Sequence, residues 1–407
     1  MRLSRGKIYI DNNIEKQISF TISYMVSFLP ILNCINAITE ITGFHTTLDT
    51  IVCYGLLLGT VLFTSVRVLL YDRIRLTWLI PFAFFSIAIF LTIFFFPPNR
   101  KYIFTSLVDI QANPMYLLFL YALPGFLFIQ KLSDFDILRA YLIKFSYLVV
   151  LLSVITFFFA QGTSASQYMT LSYNMLLQIM ALIVFCQGKR SLFNKALICL
   201  GVLVILFGGA RGALVGLMAG VAIYFFLGPY QKWQKILVVY TFVFFIIMVA
   251  FFYTRLLLWL AGILNRFNIQ SRTLQLLAAN EFSISSGRMR IRQELFSNAS
   301  FLGYGVYGDR VLLEGTIDSY AHNLFLEWII EYGLLFGGLM TLGYGWLVGR
   351  SVFLAKNVYY SFFIVFLPTG LIQLLLSGSY LQQHPAFYIF LGLLIRMNFK
   401  RNSIRAY

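Results

Sequence analysis

Long apolar runs decide what this chain can become. A transmembrane helix needs about 20 mostly apolar residues, within a range of about 17–25. The sequence offers about twelve such runs, near 18–38, 50–66, 76–97, 114–130, 143–160, 171–186, 196–210, 212–228, 236–253, 324–348, 357–376 and 385–399. Continuous runs of this length do not show the apolar–polar alternation of a barrel strand, so the spans are read as helices. The stretch 196–228 is too long for one span, and Gly208, Gly209, Arg211 and Gly212 divide it into two helices with a tight turn. Composition agrees: 60% of the 407 residues are hydrophobic and only 11% charged, against about 25% charged in a soluble domain. A soluble enzyme, a disordered chain, a coiled coil and a collagen are thereby excluded. The expected fold is an all-α polytopic membrane protein of about 12 transmembrane helices with one long extramembrane loop.

The net charge of +16 invites a nucleic-acid reading, but the placement of the cations gives another. Of 31 Lys and Arg, 21 fall in alternate connections: 1–17, 67–75, 131–144, 187–195, 229–235, 350–356 and 396–407. Only Arg100, Lys101 and Arg211 occupy the short connections between them. Cytoplasmic loops are enriched in Lys and Arg, so both termini are expected in the cytoplasm and no nucleic-acid partner is implied. The last seven cations lie in 254–322, expected to be a long periplasmic loop between an N-terminal bundle, 1–253, and C-terminal helices, 323–407. The basic start leads into a full-length span without a small-residue cleavage site, so no cleavable signal peptide is expected. The four cysteines lie in apolar runs without metal or redox spacing, where packing is the default role.

The seven cations of the long segment are Arg255, Arg266, Arg272, Arg288, Arg290, Arg292 and Arg310, with no Lys. Arg presents a planar fork that binds phosphate bidentately, so the segment suggests phosphate or diphosphate recognition. The alternative is ordinary pairing with Glu281, Glu294, Asp309, Glu314 and Asp318. Ser285-Ser286-Gly287 can cap a helix from Arg288, which puts Arg288 and Arg292 on one face with Ile291 and Leu295. Arg290 then points away, next to Glu294. Arg211, at the turn between two spans, faces either an anion at a helix start or the interface as a snorkelling cation.

All three histidines, His45, His322 and His384, fall on the expected outer side. His322 closes the long segment, where it can act as a general base or serve as an interfacial cap. Asn323, Glu327 and Glu331 form an i, i+4, i+8 stripe that reads more as polar packing than as catalysis. Gly303, Gly305 and Gly308 surround Tyr304 and Tyr307 in a turn-rich segment, suited to stacking on sugar or to loop packing. Asp134-Phe135-Asp136 lies on the cytoplasmic side, away from outer-face chemistry. These motifs point to a metal-independent site facing outward.

The His-Asn-x-x-Leu run at 322, Glu331-x-Gly333, Gly337-Gly338, Ser286-Gly287-Arg288 and Arg211-Gly212 together resemble the signature of the O-antigen ligase/polymerase superfamily. The motifs cover roughly 200–345. Two positions depart from it: Ala210 stands where many members have Ser, and a Trp frequent after Ser-Gly-Arg is missing at Ile291 and Arg292. The resemblance implies a GT-C-type inverting glycosyltransferase of the bacterial inner membrane, with no metal and no cofactor. Its partners would be an undecaprenyl-diphosphate-linked oligosaccharide donor, an acceptor glycolipid, membrane lipid and a chain-length regulator. Arg211 and Arg288 would hold the diphosphate and His322 would take the acceptor proton; Arg292, Asn323 and Tyr304 are further candidate substrate-binding residues. Polymerase is the preferred activity and ligase the alternative. A lipid-linked oligosaccharide flippase would need charges at mid-depth in the bundle. A metal-dependent enzyme would draw on Glu40 or Asp49.

Overall fold

The computed structural model describes residues 12–42, 47–71, 76–104, 118–159, 165–186, 191–207, 210–228, 231–236, 240, 262, 287–314, 320–354, 358–381 and 385–399. Among the described residues, six helices are long and apolar enough to cross a membrane, and five shorter apolar helices accompany them. Eleven of the twelve expected spans therefore appear as helices; the run near 236–253 falls outside the described residues apart from its first residue and residue 240. In chain order the helices are α1 (Asn12–Thr42), α2 (Thr47–Tyr71), α3 (Ile80–Phe95) and the short α4 (Arg100–Ile103). Next come α5 (Leu123–Lys131), α6 (Phe135–Phe159), α7 (Ala165–Phe185), α8 (Leu192–Phe207), α9 (Arg211–Leu227), α10 (Gly287–Ser297) and α11 (Gly308–Leu312). Last are α12 (Leu324–Leu354), α13 (Val358–Leu367), α14 (Gln373–Leu376) and α15 (Pro385–Phe399). The prolines shape the local geometry: wide π turns precede Pro124 and begin at Pro368, because a ring without an N–H loosens the helical ladder.

One large core joins α1 to α9 with α12 to α15. A bilayer supplies no hydrophobic drive between helices, so small residues and hydrogen bonds make the contacts. Gln178 on α7 illustrates this, accepting from Ser146 on α6 at 2.9 Å and donating to Ser27 on α1 at 3.2 Å. Leu70, Phe95, Leu342 and Phe353 point outward and are exposed, as lipid-facing residues must be.

The helix ends gather into two groups. At the basic end, Glu15 of α1 accepts the Ser133 and Asp134 backbone N–H groups at 3.0 and 3.3 Å. Asp134 caps α6 by accepting from Asp136 and Ile137 at 2.9 and 3.2 Å, which gives the Asp-x-Asp sequence a structural role. Arg396 of α15 donates to the Ile129 carbonyl at 2.9 Å and to that of Leu132, with its guanidinium over Phe135. The opposite end carries α4, α10, α11, the start of α12 and the end of α14.

Candidate functional site

The site begins with a break in α12. Gly333 has φ 78° and ψ 171°, so the helix changes direction there and backbone groups on both sides lose their intrahelical partners. Within a membrane such groups must be satisfied by protein. The segment 300–305 lies along the break and does so. Tyr304 N–H donates to the Ile330 carbonyl and Gly305 N–H to that of Glu331, both at 2.9 Å, while Leu334 N–H donates to the Ser300 carbonyl at 3.0 Å. The close approach requires glycine on both chains: Gly303, at φ 83°, and Gly333 each lie where a Cβ would meet the other's backbone. The expected α12 span is therefore two helices spliced by a loop, a feature that apolar length alone does not reveal.

The ends of α3 and α4 clamp the same loop. Asn99 donates to the Tyr304 and Val306 carbonyls at 2.8 Å, and Val306 N–H donates to the Thr92 hydroxyl at 2.9 Å. Lys101 pairs with Glu314, which raises its pKa above the ordinary lysine value.

This clamp delivers Tyr307, Asp309 and Arg310 to Glu327 and Glu331. Asp309, Glu327 and Glu331 are buried, each contributing one carboxylate oxygen to a group within 4.8 Å of one another. They are a trio that could offer ligands to a cation. Yet five of the six carboxylate oxygens already accept hydrogen bonds. Asp309 takes the N–H groups of Arg310 at 2.9 Å and Ala321 at 2.8 Å. Glu331 takes the Tyr307 N–H at 2.7 Å and the Tyr380 hydroxyl, and Glu327 takes the Ser379 hydroxyl. Glu327 Oε2 alone is buried without a partner. Carboxylates saturated by donors describe a hydrogen-bonded knot better than an ion cage. Burial pushes the Asp309 carboxyl above its ordinary value, with the Arg310 guanidinium drawing it back. Burial likewise raises the Tyr307 hydroxyl. Arg310 stacks on the Tyr307 ring at 4.4 Å and keeps Nε and Nη2 buried without hydrogen-bond partners.

His322 follows this knot directly. It is 8% exposed, stands in the left-handed region at φ 51° and stacks on Tyr320 with ring centroids 3.7 Å apart. Asn323 caps α12, accepting from Leu326 N–H at 3.1 Å, and donates to the Leu375 carbonyl at 3.0 Å. Both ends of its amide are thus engaged within the protein. Tyr304 donates its hydroxyl to the Asn298 carbonyl at 2.8 Å and packs, partly buried, against the small apolar cluster that includes Ile291, Leu295 and Ile330.

The helix from Gly287 forms as the sequence predicts, with Ile291 and Leu295 buried and Arg290 exposed. Arg292 is half-buried and lines a cavity of about 550 Å³ with Gln293, Phe296, Asn323, Phe325 and Ile329, its Nε buried without a partner. The side chains of Arg211 and Arg288 lie outside the described residues, as do those of Glu40 and Asp49, and His45 and His384 lie outside them altogether. The backbone of Arg211 can still be placed. Gly220, Gly216 and Gly212 of α9 face Pro368, Ile372 and Tyr173 in turn, so the first turn of α9 stands level with α14. Asn323 binds that same α14 end. The start of α9, the His322–Asn323 corner and the Arg292 cavity therefore share one end of the bundle.

Sequence reasoning missed Asp309, Arg310 and the clamp from Thr92 and Asn99. The spacing of Glu327 and Glu331 was the one available signal; nothing separated Arg310 from the other arginines.

A family model described as O-antigen ligase matches residues 196–342. That interval runs from α8 through Arg211, Arg288, the spliced loop and His322 into α12. No curated protein and no solved structure gives a significant match.

Proposed function

We propose that this membrane protein is a glycosyltransferase of the O-antigen polymerase type, joining undecaprenyl-diphosphate-linked repeat units at the periplasmic face of the inner membrane, a reading supported by the match of residues 196–342 to a family model described as O-antigen ligase. The observation that supports the reading is the family match itself, whose interval includes Arg211, Arg288, Arg292 and His322. Polymerase is taken over ligase on the resemblance of this aromatic-rich, divergent sequence to members with that activity.

The chemistry follows from these residues. The acceptor hydroxyl attacks the anomeric carbon from the face opposite the diphosphate, its O–C bond forming as the C–O bond to the leaving group breaks. His322 accepts the hydroxyl proton. Charge develops on the departing diphosphate, where Arg211 and Arg288 stabilise it. The first turn of α9 adds backbone N–H groups, since Ala210 makes no side-chain cap and an uncapped helix start favours an anion. Arg292, which lines the cavity, serves the same diphosphate. Three guanidinium groups supply the positive charge that a metal supplies elsewhere, so activity should survive EDTA.

Deleting the gene tests the reading. Single repeats left on lipid A-core, with chain extension lost, support the polymerase. Complete loss of surface O-antigen with lipid-linked polymer retained would instead identify a ligase.

A further inference from the structure

Asp309 ties together two segments that the fold must hold at once. It is fully buried at the head of α11, where one carboxylate oxygen accepts from its own helix and the other from Ala321 N–H at 2.8 Å. Ala321 immediately precedes His322. On the other flank, Asn323 is fixed by its cap to Leu326 and its bond to Leu375. His322 stands between these two pins with φ 51°, in the left-handed region that residues with a side chain adopt uncommonly. The anchor beneath Asp309 is itself rigid, because Glu331 of α12 accepts both the Tyr307 N–H and the Tyr380 hydroxyl.

We propose that Asp309 is a positioning residue for His322, holding the Ala321 peptide so that the imidazole meets the incoming acceptor hydroxyl. The proposal rests on the reading of His322 as general base. Loss of the Ala321 bond would free one side of the corner, and a displacement of about 1 Å can lower a rate by about 100-fold.

The test uses the full-length protein in proteoliposomes, with lipid-linked repeat units extracted from a strain lacking this chain. Asp309→Ala should lower kcat by about 30- to 100-fold with KM for the donor unchanged. Asp309→Asn, which can still accept from Ala321, should recover most of that loss. Carbethoxylation, mapped by mass spectrometry with His45 as internal reference, should modify His322 faster in Asp309→Ala than in the unaltered protein. Where Asp309→Ala fails to accumulate, Asp309→Ser, too short to reach Ala321, takes its place. Wild-type kcat per folded molecule in Asp309→Ala, or lost kcat with unchanged His322 labelling, overturns the positioning role. An active His322→Ala variant overturns the general-base reading itself, whatever Asp309 does.

Discussion

The two ends of the bundle treat charge in opposite ways. At the basic end Arg396 spends its guanidinium on the Ile129 and Leu132 carbonyls and stacks against Phe135 and Tyr359. Glu15 there accepts three donors from Ser133 and Asp134. These charges complete helix ends and leave little to offer a ligand. At the loop end Arg292 Nε, two Arg310 nitrogens and Glu327 Oε2 are buried without hydrogen-bond partners. A buried donor or acceptor left unmade costs about 1–3 kcal/mol, more for a charged group. Among the described residues, Arg396 and Glu15 spend their polar atoms on the protein, whereas at the loop end Arg310 is set against the buried carboxylates of Asp309, Glu327 and Glu331 and Arg292 lines a cavity; under the proposed function the latter would meet an anionic substrate. The contrast is between a cation that completes helix ends and cations whose guanidinium groups keep unbonded nitrogens.

The sharpest way to break this contrast is at the loop end. Arg211→Ala, Arg288→Ala and His322→Ala should each lower product by at least about 100-fold in a lipopolysaccharide banding assay while expression persists. Full activity in any one of them removes that residue from the mechanism. At the basic end the opposite pattern is expected. Arg396→Ala should destabilise the detergent-solubilised protein by roughly 2 kcal/mol, seen as a lower unfolding temperature, with activity per folded molecule unchanged.

Arg292→Ala sits between these limits. It removes an unsatisfied buried donor, so stability should hold or improve slightly while KM for the donor rises about tenfold. Arg290→Ala, on the exposed face of the same helix, should change activity by less than about twofold. The smallest effect concerns pH. Burial raises the Asp309 carboxyl above its unfolded value, so its stabilising margin is full below the ordinary carboxyl range and is lost as pH rises through the raised value. Thermal unfolding across that window should show a decline that Asp309→Asn lacks.

Much of the site was legible in helical spacing. The face carrying Ile291, Leu295 and Arg292, with Arg290 turned away, follows from about 100° per residue, and α10 forms accordingly. Other parts were not. Asn323 reads as a substrate contact beside a histidine, yet its amide caps α12 and binds Leu375. Glu327 and Glu331 read as a polar stripe, but their partners Tyr307, Ser379 and Tyr380 come from separate loops. No periodicity connects residues so far apart in the chain.

The sequence by itself determined the membrane class and the positions of the eleven spans that fall within the described residues. Those depend on local quantities: apolar length, charge in short connections and the 3.6-residue repeat. Only the tertiary structure decided that α12 breaks at Gly333 and that segment 300–305 satisfies the break. It alone decided that Asp309 reaches Ala321 beside His322. Those contacts exist because buried backbone groups in a bilayer must find protein partners, and which partners they find is settled by how distant segments pack.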